Sequence, residues 1–314
     1  MIEILSTGLP NTVQDEGRPG YLDAGVSLCG AMDRPALLAA NALLNNKPSS
    51  AVIEVALFPF RLRFQAEMSF AVTGAVAPAT LDGVPLPPWW TGHAKAGQEL
   101  RIDPPARGAR VVVAFAGGID VPLVLGSRAT DAKGGFGGLN GRGLKRGDRL
   151  AVGDAPAMRA REFGTVPDWL HEDWQVLRVL PAAEFDAFDA DSLDRFFGEE
   201  WTVSADANRQ GYRLDGGRLV RTTPRELFSH GIVPGTVQVP ASGMPIIQLA
   251  DANTCGGYPK IATVIEADLW KLAQAPVGAK LRFQEVTRAE GIAALRAQRD
   301  GLVRLREAVT LARR

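Results

Sequence analysis

The sequence predicts a mainly β protein (α+β) built as two β-rich lobes with a few helices. Three observations carry this expectation. Short apolar, β-branched runs are broken by clusters of proline, glycine and polar residues. One turn plan recurs in both halves: Ala96-Gly97-Gln-Glu-Leu100-Arg-Ile102, Arg146-Gly147-Asp-Arg-Leu150-Ala-Val152 and Val277-Gly278-Ala-Lys-Leu281-Arg-Phe283 each read as a glycine turn, two polar residues and an alternating strand. A double glycine and a proline precede the second and third copies, at Gly117-Gly118 with Pro122 and at Gly256-Gly257 with Pro259, so the halves share a design without a solenoid period. Finally, residues 231–266 pack prolines and glycines between apolar runs. Proline removes a backbone donor and glycine disfavours a helix interior, so this stretch reads as strand, turn, strand, glycine-rich loop, strand.

The chain has 314 residues, enough for two lobes with proper cores. It is 46% hydrophobic and 22% charged, the balance of a soluble globular protein. Its 35 basic and 35 acidic residues cancel, which argues against a nucleic-acid partner. Two cysteines, Cys29 and Cys255, make no disulfide framework and suit a reducing compartment. No secretory leader pattern and no apolar run of about 20 residues is seen, so the expected location is the cytoplasm, away from membranes.

Taken in order, residues 2–5 begin a strand. Residues 12–20, Thr-Val-Gln-Asp-Glu-Gly-Arg-Pro-Gly, form a loop carrying Gln14, Asp15, Glu16 and Arg18; turn formers make a solvated turn the bland reading. Asp33 reads as the N-cap of a helix over about residues 33–46, with Pro35 in its first turn and Pro48 beyond its end. Residues 51–57 are an apolar strand interrupted by Glu54, a carboxylate that must face water, pair, or line a site. In Phe60-Arg-Leu-Arg-Phe64 the aromatic and leucine side chains face inward and the arginines outward. Residues 69–73 and 110–115 are further strands, and residues 85–90, with paired prolines and tryptophans, an extended loop. The expected organisation is an N-terminal lobe over residues 1–156, a linker over 157–175, a C-terminal lobe over 176–286 and a helical tail over 287–314. The C-terminal lobe opens with a strand at 175–180 and a helix over 184–197 with an apolar face of phenylalanines. In the tail, Leu295, Leu302 and Val309 fall seven apart, and Gly301 weakens the helix.

Several chemistries are missing. There is no G-x-x-x-x-G-K-[ST] phosphate loop, and Gly134-Gly135-Phe136-Gly137-Gly138 lacks its lysine. His93, His171 and His230 are not at metal-ligand spacing and no CxxC occurs, so no metal site is expected. No Met-Lys-Met biotinylation sequence is present. What remains are carboxylates, carboxamides and cations on loops. Arginine can grip a carboxylate at two points, glutamine and asparagine read an amide, and a tuned aspartate moves a proton.

Several blocks together resemble one family. They are residues 12–20; Ser27-Leu-Cys-Gly-Ala-Met-Asp-Arg34; Gly117-Gly-Ile-Asp-Val-Pro122; Leu125-Gly-Ser-Arg128; Asn208-Arg-Gln-Gly-Tyr-Arg-Leu214; residues 231–240; and Gly256-Gly-Tyr-Pro-Lys-Ile-Ala-Thr263. In this order they resemble the biotin-dependent carboxyltransferase-like family. That family includes the C subunit of 5-oxoprolinase, the Kip anti-inhibitor and the second carboxyltransferase subdomain of urea carboxylase, also called allophanate hydrolase subunit 2. The family usually has Met at the position of Gln210, and Ser and Thr at those of Cys29 and Cys255, which leaves the substrate open.

The resemblance implies two cyclophilin-like β-barrel lobes and a companion B subunit. Its first functional reading is the C subunit of an ATP-dependent 5-oxoprolinase complex that hydrolyses the lactam of 5-oxo-L-proline to L-glutamate, together with a lactam-utilisation A subunit. On this reading the chain binds no cofactor, the complex uses ATP, and the chain is inactive alone. A second reading moves a carboxyl group from carboxybiotin, on a separate carrier, to urea or a related amide. A third is a non-catalytic anti-inhibitor that binds a kinase-inhibitor protein. With the resemblance, Asp15, Gln238 and Asp251 are the expected catalytic residues. Gln14, Arg18, Glu54, Asn208, Arg209 and Lys260 are expected to bind substrate.

Overall fold

Alternation decides the architecture. In Phe60-Arg-Leu-Arg-Phe64 the three apolar side chains are fully buried, and their strand joins a sheet over a core that also holds Ile2, Ile4, Phe70, Phe115 and Leu150. A computed structural model describes residues 1–155, 162–167, 169, 173–222 and 227–312. The chain divides into two compact units: residues 1–18, 29–170 and 299–314 form the first, and residues 19–28 and 171–298 the second.

The first unit contains β1 (Ile2–Ser6), β2 (Thr12–Gln14), α1 (Arg34–Leu43), β3 (Val52–Val55), β4 (Phe60–Phe64), β5 (Met68–Val76), β6 (Ala79–Leu81), β7 (Val84–Leu86), β8 (Trp90–Ala94), β9 (Glu99–Ile102), β10 (Arg107–Phe115), β11 (Ile119–Asp120) and β12 (Arg149–Val152). They make a seven-stranded sheet in the order β11-β12-β1-β4-β9-β6-β7 and a five-stranded sheet in the order β2-β3-β10-β5-β8, whose apolar faces share the core. Asp33 does cap α1: its carboxylate accepts the Ala36 N–H at 2.9 Å.

The second unit contains β13 (Val176–Pro181), α2 (Ala190–Gly198), β14 (Trp201–Val203), β15 (Gly211–Asp215), β16 (His230–Gly231), β17 (Thr236–Gln238), β18 (Ile246–Gln248), β19 (Cys255–Gly256), β20 (Lys260–Val264), α3 (Leu269–Gln274) and β21 (Lys280–Glu285). Seven of these strands close a barrel in the order β13-β20-β17-β18-β15-β14-β21, sealed by the parallel pair β13–β21, while β16 and β19 pair as a separate two-stranded sheet. Leu177, Val237, Ile247, Ala262 and Leu281 are buried in the barrel.

The repeated glycine turn is realised in all three copies. Gly97, Gly147 and Gly278 adopt φ of 90°, 87° and 83°, a region that favours glycine, and the leucine three residues on is buried each time. The double glycines do not correspond. Gly117 and Gly118 turn the chain with φ of 94° and 74°, whereas neither Gly256 nor Gly257 is left-handed. Gly256 lies close to two side-chain ends: an added Cβ would lie 2.7 Å from Ile232 Cδ1 and 3.1 Å from Gln238 Nε2.

Two further expectations are corrected. Residues 85–90 are not a loop throughout: β7 pairs with β6, and Trp90 starts β8. Pro85 is tolerated because β7 lies at a sheet edge, where its missing N–H breaks no ladder. Residues 184–197 are not one helix. A 3₁₀ turn, Phe185–Ala187, precedes an extended Phe188, and Asp189 then caps α2 by accepting the Ser192 N–H at 2.8 Å. The apolar face survives, with Phe196 stacked on Phe283 at 4.3 Å between ring centroids. The expected linker falls partly outside the described residues, as does His171.

The last helix, α4 (Arg288–Ala312), runs through Gly301, where an added Cβ would lie 3.5 Å from the Trp169 ring. It opens with a capping box: Thr287 N–H donates to the Glu290 carboxylate at 2.7 Å, and Glu290 N–H donates to Thr287 Oγ1 at 3.3 Å. The Thr287 backbone and side-chain hydrogen bonds hold the Glu290 carboxyl below its usual value. That support is present above the ordinary carboxylate range and is lost as pH falls through the lowered value. Thr287→Ala is expected to cost about 1 kcal/mol, read as a lower denaturant midpoint. Among the described residues no helix is long and apolar enough to cross a membrane.

Candidate functional site

Each unit gathers its own set of the expected residues. In the first, the loop after β2 is not a solvated turn: Gln14, Asp15 and Arg18 are 0%, 4% and 1% exposed. The reason is a second segment, residues 127–131, which meets it through side-chain bonds. Gln14 Nε2 donates to Thr12 Oγ1 at 3.0 Å and to the Thr130 carbonyl at 3.3 Å. Asp15 accepts from Gly17 N–H at 2.8 Å, from the Ser127 hydroxyl at 2.6 Å and from Arg128 N–H at 2.6 Å. Arg18 donates through Nη2 to the Ala129 carbonyl, and its cation lies 4.9 Å from the Phe136 ring centroid. Gln14 Oε1 and Arg18 Nε and Nη1 are buried without a hydrogen-bond partner. Glu54 is buried too. Its Oε2 accepts the Met32 N–H at 2.7 Å and its Oε1 lies 3.8 Å from Arg110 Nε, so of its three options it pairs.

Both oxygens of Asp15 are thus engaged in holding two loops together. Asparagine in its place would turn an NH2 group toward a donor. Asp15→Asn is expected to cost about 2 kcal/mol, seen as a lower thermal midpoint.

In the second unit the site is built on the barrel wall. Strand alternation puts Val237 and Ile247, a registered pair, into the core and turns Gln238 and Gln248 to the other face. Gln248 Nε2 donates to Gln238 Oε1 at 3.0 Å, and Gln238 Nε2 reaches the Tyr258 carbonyl at 3.4 Å. Across the next pair Gln238 registers with Lys260, next to a bulge in the β17–β20 ladder. Lys260 is 7% exposed, and its Nζ has no hydrogen-bond partner. Burial pushes its amine below the usual lysine value, and Glu184 opposes that shift. Asp251 is held differently. Arg209 Nε and Nη2 each donate to its carboxylate at 2.9 Å, and Asp251 N–H donates to the Arg209 carbonyl at 3.0 Å. Asn208 is exposed and closes its own turn by accepting the Gln210 N–H at 2.8 Å.

The arrangement in the second unit offers a carboxamide pair and, one strand over, a buried amine without a hydrogen-bond partner. Residues 24–285 match the family model for the carboxyltransferase domain, subdomain A and B. The chain belongs to this carboxyltransferase-domain family. Among family members it is 44% identical over 302 residues to the C subunit of 5-oxoprolinase from Escherichia coli, covering 96% of this chain and 95% of that one. It is 42% identical over 290 residues to the C subunit of 5-oxoprolinase from Haemophilus influenzae, covering 92% and 93%. The crystal structure of Kluyveromyces lactis urea carboxylase superposes with a TM-score of 0.89 at 28% identity, over 97% of this chain but 29% of that one.

In this carboxyltransferase-domain chain, Gln14, Asp15, Arg18 and Glu54 lie in the first unit, and Asn208, Arg209, Gln238, Asp251 and Lys260 in the second. Sequence reading missed Ser127, the hydroxyl partner of Asp15, and gave no role to Gln248, the carboxamide beside Gln238. A glutamine at the end of each of two adjacent apolar strands, Val237-Gln238 and Ile247-Gln248, was the available signal for the latter. Cys29 is buried and Cys255 exposed, and neither is in a disulfide.

Proposed function

We propose that the chain is the C subunit of an ATP-dependent 5-oxoprolinase complex, which opens the lactam of 5-oxo-L-proline to L-glutamate. The observation that carries this reading is the match to the Escherichia coli protein over 96% of this chain and 95% of that one. The urea carboxylase match spans only 29% of its chain. The groups in the second unit suit the substrate. A carboxamide at Gln238 can read the lactam amide, and the Lys260 cation can face the carboxylate. Of the residues expected beside the reacting group, Asp15 ties two loops of the first unit together, and Asp251 holds Arg209 within the second.

The chain needs a companion B subunit and a lactam-utilisation A subunit, and ATP binds outside it. The test is to co-purify the three proteins and follow glutamate formation from 5-oxoproline. Turnover is expected only with ATP and with all three present. A complete complex that leaves the lactam intact, or turnover by this chain alone, overturns the respective part of the proposal.

The fold match to urea carboxylase supports a second reading, transfer of a carboxyl group from carboxybiotin to an amide. Biotin would then reside on a separate carrier. Incorporation of labelled bicarbonate into urea, dependent on this chain and on a biotinylated carrier, would favour it over lactam opening.

A further inference from the structure

Arg18 is buried in the first unit, and most of its hydrogen-bonding capacity is unused. A guanidinium carries five N–H groups. Nη2 gives one to the Ala129 carbonyl, while Nε and Nη1, with three between them, have no acceptor. Arg18 has no ion pair among the described residues. Asp15 and Asp131 are the carboxylates on the two segments that meet here, and both are turned to other donors. Asp15 accepts from Gly17, Ser127 and Arg128, and Asp131 Oδ1 accepts the Gly134 N–H at 2.7 Å. One residue beyond Ala129, the Thr130 carbonyl receives Gln14 Nε2. A carbonyl only accepts, so the orientation of the Gln14 amide is fixed, and its Oε1 is the atom left buried without a donor.

The glycine-rich run over residues 134–138 closes on this arginine. The Phe136 ring centroid lies 4.9 Å from the guanidinium carbon. Gly137 has a φ of 70°, and a Cβ added there would lie 2.8 Å from Arg18 Nη2 and collide with the Ala129 carbonyl. The run lacks the lysine of a phosphate loop, and instead its glycine backbone comes down to a guanidinium.

We propose that Arg18 and Gln14 hold a small planar oxyanion that also carries an O–H, with bicarbonate as the type: its oxygens accept from the open N–H groups of Arg18, and its O–H donates to Gln14 Oε1. This site does not depend on which substrate the complex takes. Charge favours a monoanion. One guanidinium balances one negative charge, and Asp15 and Asp131 on the same segments count against a phosphate dianion. Size favours the smallest carboxylate-like ions, since both side chains are enclosed. Water would accept the same N–H groups but leave the buried cation without a counter-charge in contact.

The test is equilibrium dialysis of the full chain against labelled bicarbonate and, separately, labelled formate, at fixed ionic strength and mildly alkaline pH. Each ion is expected to fill a single saturable site. Bicarbonate should bind about tenfold more tightly, the worth of the hydrogen bond to Gln14 that formate, lacking an O–H, does not make. Arg18→Met should lose both ions, and Gln14→Met should bind bicarbonate no more tightly than formate. Arg18→Lys keeps the charge without the planar fork and should bind both at least tenfold more weakly, which keeps the test open if the methionine variant does not fold. Bicarbonate should also raise the thermal midpoint of the wild type saturably and leave that of Arg18→Lys nearly unmoved. No saturable binding of either ion, bicarbonate binding that is unchanged in Arg18→Lys, or tighter binding of inorganic phosphate than of both overturns the proposal. Equal affinity of the wild type for bicarbonate and formate overturns the part given to Gln14.

Discussion

Lys260→Met is expected to make the protein more stable and to remove its activity in the complex. Lys260 is 7% exposed and its buried ammonium lacks a hydrogen-bond partner, so folding strips it of water without returning a bond. Methionine has similar reach and no charge to desolvate, and the gain should be on the order of 1–3 kcal/mol. The gain has a defined pH dependence. The folded-state value of Lys260 lies below the 10.5 of a free lysine, so between the two the unfolded chain binds the extra proton. Stability of the wild type therefore rises with pH through that window, and the advantage of the methionine variant shrinks there. Denaturant midpoints of both proteins at pH 7 and across the approach to 10.5 would check the sign. A methionine variant that is less stable at neutral pH would show that Lys260 is supported by contacts beyond those described above.

Asp251→Ala is expected to abolish activity with the opposite effect on stability. The Arg209 and Asp251 side chains are 14% and 9% exposed and meet through two bonds of 2.9 Å. Removing the carboxylate leaves a largely buried guanidinium without it, at a cost of about 3 kcal/mol. The damage should reach the site through the backbone. Gly211 registers with Gln248, Leu249 N–H donates to Gln210, and Asp251 N–H donates to Arg209, so the ion pair sits at the end of the ladder that sets Gln248. A double-mutant cycle with Arg209→Met should return a coupling of about 2 kcal/mol. An Asp251→Ala protein with wild-type stability and turnover would remove Asp251 from both roles. The two variants separate a residue kept for function against stability from one kept for both.

Much of the β architecture was legible because it rests on local alternation. Phe60, Leu62 and Phe64 pointed inward as their spacing required, and the three glycine turns recurred with the same left-handed φ. Asp33 was readable as a cap because capping is settled within one helical turn. Long-range pairing was not legible. The partners of Gln14, Asp15 and Arg18 lie more than a hundred residues away, in residues 127–130, so a loop that looked solvated proved to be buried. The same blindness made Gly256-Gly257 look like a second Gly117-Gly118. A dipeptide records that side chains are missing, not whether the backbone needed a turn or a neighbour needed the space. The family resemblance brought Lys260 and Gln238 forward together. Their register across β17 and β20 came only from the fold.

The division of the chain has a consequence for how the protein can be made. Residues 19–28 belong to the second unit, where Ser27 Oγ donates to the Ala252 carbonyl at 2.8 Å, and residues 299–314 belong to the first, where Val309 is buried. Neither unit is therefore encoded by one uninterrupted stretch. During synthesis the first unit stays unfinished until residues 299–312 are made, and residues 19–28 wait for the rest of the second unit. A cut between residues 155 and 173 would release two fragments that each lack a piece of themselves. Co-expressed halves should regain structure only when the missing pieces can exchange, while either half alone should be recovered mainly as aggregate.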